Sequence, residues 1–160
     1  MNTIEVTIPA PLDEVWARVL DAESYPDWLV GARRAEAGEA WPEVGSSFSH
    51  RIGVGPLVVA GSTTVEELDR RHHRLVLGAG MGPGGEARVV IELAVAGSGT
   101  RVTMSETPSR GLAATLWMVA RPVIGPALEH RNRVSLHRLA KLFRPSTPTD
   151  RADGVATLVR

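Results

Sequence analysis

The chain has 160 residues, in which 18 lysines and arginines balance 18 acids, with five histidines and no cysteine. That length predicts one domain able to bury a sizeable core, and zero formal charge argues against a general nucleic-acid surface. The lack of cysteine excludes disulfides, thiolate nucleophiles and cysteine-ligated metals.

The N-terminal residues have neither the basic region nor the apolar core of a signal peptide. No apolar run approaches the roughly 18 residues that span a bilayer. A cytoplasmic protein without integral membrane association is therefore expected. Charge is unevenly placed: Glu5, Asp13, Glu14, Asp21, Glu23 and Asp27 stand against Arg18, whereas Arg131, Arg133, Arg138, Lys141 and Arg144 stand against Glu129. The two segments could pack together, or the basic run could be a solvated helix face.

Asn2 to Ile8 alternates Ile4, Val6 and Ile8 with polar residues, the pattern of a half-buried strand. Pro9 and Pro11 end it, and Pro11 opens a helix whose apolar face holds Val15, Trp16, Val19 and Leu20. Asp21 to Trp28 reads as a turn or second short helix, with Ser24 as a cap. From Ala32 the period becomes that of strands. Ser46 to Val54 is one candidate, and Leu57 to Leu68 another, with Gly61 as a bulge or bend. Arg74 to Gly80 follows a polar turn. Ala87, Val89, Ile91, Leu93 and Val95 form the clearest alternation, and a hairpin at 97–99 leads into Val102, Met104 and Glu106 on one face. After Pro108 the helical period returns over Leu112 to Phe143, with a kink or break expected at Pro122, Gly125 and Pro126. Residues 145–160 read as a flexible tail, leaving 1–144 as the folded domain.

The order is strand, short helices, six strands, long helix, so the fold class is α+β, with one amphipathic helix burying its stripe on one antiparallel sheet. The corner Glu23-Ser24-Tyr25-Pro26-Asp27-Trp28-Leu29-Val30 after the first helix, the run from Glu66 to Leu77 and the segment Gly99-Thr100-Arg101-Val102-Thr103 resemble the START-like helix-grip superfamily, in particular its polyketide cyclase/dehydrase and lipid-transport group. The resemblance implies a curved sheet wrapped around the C-terminal helix with an apolar cavity between them. It implies binding or carrying of a small hydrophobic molecule, such as a lipid, polyketide or isoprenoid. Two alternatives stand beside it. One is a cyclase/aromatase-like enzyme. The other is a partner-interaction protein with a vestigial cavity. No cofactor is implied.

Several chemical motifs dissolve on inspection. Gly80 to Gly85 matches G-x-G-x-x-G, but a strand rather than a helix follows, so no helix N-terminus is present to hold a pyrophosphate. His72 and His73 are adjacent in a charged turn and cannot easily share a metal, so no metal site is assigned. In 47–52, Phe48, His50 and Ile52 share one face and Ser47, Ser49 and Arg51 the other. Burying Arg51 unpaired would be expensive, so Phe48 and Ile52 are placed inward, which puts His50 in the cavity with a pKa suited to acid–base work. With the opposite phase, Arg51 would be the orienting group. Glu106 either reaches the cavity, lies at its rim, or pairs with Arg51 or Arg121. The candidate acid–base groups are thus His50, Glu106 and Arg51. The expected cavity lining is Trp28 at the corner, Phe48, His50, Val59, Ile91 and Met104 on strands, and Trp117, Arg121, Ile124, Leu128 and Asn132 on the long helix.

Overall fold

The structure is a computed structural model that describes residues 2–54, 57–80 and 85–144; side chains are described for all of these except 2, 52–54, 57–59, 112–121, 123 and 124. Strand β1 (Asn2–Ile8) leads through helix α1 (Leu12–Leu20) and a single tight turn at Ala22–Ser24 to the short helix α2 (Tyr25–Trp28). Strands β2 (Ala32–Ala37), β3 (Ser47–Val54), β4 (Leu57–Asp69), β5 (Arg74–Gly80), β6 (Glu86–Ala96) and β7 (Gly99–Arg110) follow, and helix α3 (Gly111–Leu142) ends the described chain. All strand pairings are antiparallel, in the order β1-β7-β6-β5-β4-β3-β2. This is the helix-grip architecture.

Register explains which residues face α3. Met104 is opposite both Ile4 and Ile91, and Ile91 is opposite Leu75, so one row of large apolar side chains crosses four strands on the inner face. All four are buried. Helix α1 adds Val15, Trp16 and Val19 to the same core, as its periodicity requires. Helix α3 contacts β1, β7, β6 and α2, and it seals the sheet there with Leu136, Leu139 and Ala140.

The α2 corner is fixed by hydrogen bonds to its neighbours. Tyr25 donates its hydroxyl to the Val19 carbonyl at 3.0 Å, and the Trp28 indole N–H donates to Ser24 Oγ at 3.3 Å. The Val30 amide donates to Ser135 Oγ at 3.0 Å, which ties the corner to α3.

Three local expectations are corrected. No break interrupts α3, since the helix is continuous through Pro122 and Pro126. Both prolines lie on its exposed side, where water can satisfy the carbonyls that lose their partners. Ser24 does not cap α2; its hydroxyl lies 2.9 Å from the Arg18 carbonyl and 2.7 Å from that of Asp21, and Asp21 itself accepts the Glu23 amide at 3.1 Å. Gly61 is not a bulge. It pairs in register with His50, and the irregularity in β4 falls between Val65 and Glu67. The acidic N-terminal segment does pack on the helix that carries the basic run, through β1, α2 and the Val30–Ser135 hydrogen bond, though no ion pair involving Asp13 or Glu14 joins them among the described residues. Arg133 instead pairs with Glu129 one turn away on its own helix.

Residues 145–160 and 81–84 lie outside the described residues. The strand expected after Gly85 is present as β6. No helix among the described residues is long and apolar enough to cross a membrane.

Candidate functional site

A cavity of about 110 Å3 lies between the inner face of the sheet and α3. Its position follows from side-chain size. Toward one end of the sheet the inner-face row changes from Leu75, Ile91 and Met104 to Thr63, Ala79 and Ala87, which are paired across β4, β5 and β6. Small residues there leave room that the large row fills elsewhere. Leu77 and Val89 form the step between the two rows and also line the cavity.

One wall is aromatic. The Tyr25 ring lies 4.9 Å from Trp28 and 5.0 Å from Phe48, centroid to centroid, and Phe48 lies 5.6 Å from the His50 ring. These tilted and edge-on arrangements avoid the unfavourable face-to-face sandwich, and all four rings line the cavity. Tyr25 offers only its ring, because its hydroxyl is already engaged; burial, and then the Asp21 carboxylate, push the phenol well above its ordinary value.

Two polar pairs interrupt the apolar lining. On β3, His50 is buried, with Nε2 at 2.9 Å from Thr63 Oγ1. Burial holds the imidazole below its usual pKa, partly opposed by its own main-chain carbonyl, so the ring is neutral near pH 7. Gly61, directly across the ladder, makes room for it: a Cβ at Gly61 would sit 2.6 Å from His50 Cε1 and 2.3 Å from the Gly80 carbonyl oxygen. On the far side, the buried Glu106 carboxylate of β7 accepts a hydrogen bond from the Arg131 guanidinium of α3, and the same nitrogen donates to Asn132 Oδ1 at 3.1 Å.

Of the residues expected at the site, Trp28, Phe48, His50, Ile91, Met104 and Leu128 line this cavity, as does Glu106. Val59, Trp117, Arg121 and Ile124 lie outside the residues whose side chains are described. Asn132 is buried but is not among the residues lining the cavity; its Oδ1 accepts a hydrogen bond from Arg131. Arg51 is exposed on the outer face, beside Arg34 and Glu36, because alternation along β3 sends Phe48 and His50 inward. Among the described residues, Glu106 therefore pairs neither with Arg51 nor within its own sheet, but with Arg131.

Arg131, Thr63, Tyr25 and the small pair Ala79 and Ala87 were absent from the expected lining. The signal for Arg131 was helical spacing, since it falls between Leu128 and Ser135 on the stripe that faces the sheet. Among the described residues, no group of three or more potential ligands is placed to hold a metal ion.

A family model described as polyketide cyclase/dehydrase and lipid transport matches residues 2–144. The sequence matches none of the curated proteins. Solved structures share the fold. A protein from Thermus thermophilus superposes with a TM-score of 0.67 at 18% identity, covering 87% of this chain and 93% of that one. An aromatase/cyclase from a Streptomyces species superposes with a TM-score of 0.66 at 15% identity, covering 88% and 91%. A protein of the dynemicin biosynthetic locus gives a TM-score of 0.58 at 24% identity, covering 87% of this chain and 45% of that one.

Proposed function

The chain belongs to the polyketide cyclase/dehydrase and lipid transport family, and we propose that it binds a small hydrophobic molecule in the cavity between its sheet and α3. The observation that supports this reading is the cavity itself, walled by Trp28, Tyr25 and Phe48 on one side and by Val89, Ile91 and Met104 on the other. Burying an apolar ligand there contributes about 25 cal/mol for each Å2 removed from water.

Volume narrows the occupant. The roughly 110 Å3 cavity is smaller than the about 300–1,000 Å3 of ordinary ligand pockets. It approaches the about 150 Å3 of an engineered apolar cavity that accepts benzene. A molecule, or part of one, the size of a single ring suits it better than a whole lipid chain. An interaction protein with a collapsed cavity fits these dimensions less well.

A second reading, an enzyme of the cyclase type, is favoured by one specific feature: a neutral, buried imidazole on the cavity wall. Such a ring can take or give a proton near neutral pH.

Titration with toluene, followed by NMR, tests the first reading. Saturable shifts of the Trp28 indole and the Ile91 and Met104 methyl signals are expected. Shifts confined to exposed residues, or none at all, would overturn it.

A further inference from the structure

Helix α1 buries Val15, Trp16 and Val19 and leaves Asp13, Glu14 and Ala17 exposed, with Asp21 exposed one turn beyond Ala17. The C-terminal half of α3 buries Leu136, Leu139 and Ala140 in the same core. Its outer side is basic and concave: His130, Arg133, Val134, His137, Arg138 and Lys141 line a groove of about 480 Å3, room for a row of side chains rather than a single ion. Charge is left over on both helices. Arg133 pairs with Glu129, and Arg18 lies 3.8 Å from Asp21. Among the described residues, Asp13, Glu14, Arg138 and Lys141 form no ion pair.

We propose that this surface joins two copies of the chain about a twofold axis, with α1 of each copy seated in the α3 groove of the other. Spacing supports the fit. Asp13, Ala17 and Asp21 recur every four residues, so they form one ridge along α1. Arg133, His137 and Lys141 recur at the same interval along α3. Two such rows laid side by side bring carboxylates to cations at a common pitch. Ala17 keeps the ridge low at its middle. Val134 is the one half-buried member of the groove, and Leu142, exposed beside Lys141, adds apolar surface at its end.

Charge names the partner. The two helices share a core, and the Val30 amide bonded to Ser135 ties the acidic corner to α3, so the opposed faces lie on neighbouring elements. A nucleic acid or an anionic membrane would be drawn to the basic groove but repelled by the acids beside it. A second copy satisfies both faces at once. The formal net charge of the chain is zero, and a twofold contact makes each ridge–groove pairing twice. Exposed ion pairs are individually weak and are screened by salt, so the dimer is reversible and salt-sensitive.

Sedimentation equilibrium of the full chain tests this. Dimers are expected in about 0.01 M salt, with a dissociation constant that rises about tenfold or more in about 0.3 M salt. Monomers alone at about 0.1 mM protein in low salt would overturn the proposal, as would a dimer indifferent to salt. Asp13→Lys/Glu14→Lys and Arg138→Glu/Lys141→Glu change exposed positions only, and circular dichroism checks their folding. Each variant is expected to be monomeric, because every ridge then faces a groove of its own sign. An equimolar mixture of the two is expected to restore dimers, since each ridge again meets a groove of opposite sign. Reversed variants that still self-associate, or a mixture that stays monomeric while the wild type dimerises, would place the contact elsewhere and overturn the assignment. Wild-type protein that remains monomeric yet binds vesicles containing phosphatidylserine would give the basic groove to a membrane instead.

Discussion

Glu106 on β7 and Arg131 on α3 form an ion pair across the joint between sheet and helix, with the carboxylate 8% and the guanidinium side chain 28% exposed. The pair is a wall of the cavity and also a clamp on the helix that closes it. Removing only the cation strands a carboxylate among apolar neighbours such as Met104 and Val89.

Arg131→Met is therefore expected to cost about 2–4 kcal/mol, somewhat below the range for fully buried pairs because water reaches Arg131. The double variant Glu106→Leu/Arg131→Met should recover to within about 1 kcal/mol of wild type, since two apolar side chains replace a desolvated pair. Urea denaturation of the three proteins checks this. A loss in Arg131→Met below about 0.5 kcal/mol, the range of ordinary surface changes, would show that the carboxylate is adequately hydrated without its partner.

Gly61 predicts a different kind of defect. Its added Cβ would meet the Gly80 carbonyl oxygen at 2.3 Å and His50 Cε1 at 2.6 Å. Gly61→Ala should destabilise by about 1–3 kcal/mol, the range for overpacking. Because the nearer obstacle is main chain, shortening the side chain in Gly61→Ala/His50→Ala should not rescue it. Gly38→Ala is the control, with its nearest neighbour at 3.8 Å, and should stay within about 0.5 kcal/mol. Equal melting temperatures for Gly61→Ala and Gly38→Ala would mean that β4 and β5 can separate at this point without cost.

His50 sets a pH dependence whose sign is determined. Its pKa is lower in the folded than in the unfolded chain, where it takes its ordinary value of 6.5. Below that value the unfolded chain binds a proton that the folded one resists, so stability is complete above it and falls as pH drops toward the folded pKa. The wild type should lose more stability than His50→Gln between about pH 7 and about pH 5. Parallel melting-temperature profiles for the two proteins would show that His50 is not held neutral.

Period-two and helical patterns revealed much of the fold. The alternation of Ala87, Val89, Ile91 and Leu93 located β6, and its phase placed Ile91 inward. The same rule, with the cost of burying Arg51, put Phe48 and His50 on the inner face. The site was only half legible for two reasons. Cavities arise where inward residues are small, and Ala79 and Ala87 attract no notice beside Leu75 and Ile91. Arg131 sits in a run of basic residues whose composition suggests a solvated surface; helical spacing puts it on the inner stripe, but its pairing with Glu106, 25 positions away in sequence, is what keeps it at the cavity. Long-range partners of this kind are invisible to a local pattern. The prolines of α3 misled for a related reason: a missing hydrogen bond on an exposed helix side costs less than the same loss inside the core.

Filling the cavity separates binding from folding. Ala79 and Ala87 line it from neighbouring strands, so Ala79→Leu or Ala87→Leu places extra carbon into existing space instead of packed core. Each is expected to weaken toluene binding about tenfold or more, or roughly 1.4 kcal/mol, while melting at or near the wild-type temperature. Toluene binding that persists in a folded Ala79→Leu protein would locate the ligand elsewhere. His50→Gln supplies the complementary test, because it keeps a polar side chain at the wall but removes the ability to exchange a proton near pH 7. Apolar contact supplies the affinity for toluene, so this substitution should leave it within about tenfold. A carrier needs no more than that. If instead a ring-closure assay with a polyketide-like substrate shows turnover that collapses in His50→Gln while toluene affinity is retained, the cavity is a reaction chamber and the cyclase reading replaces the carrier.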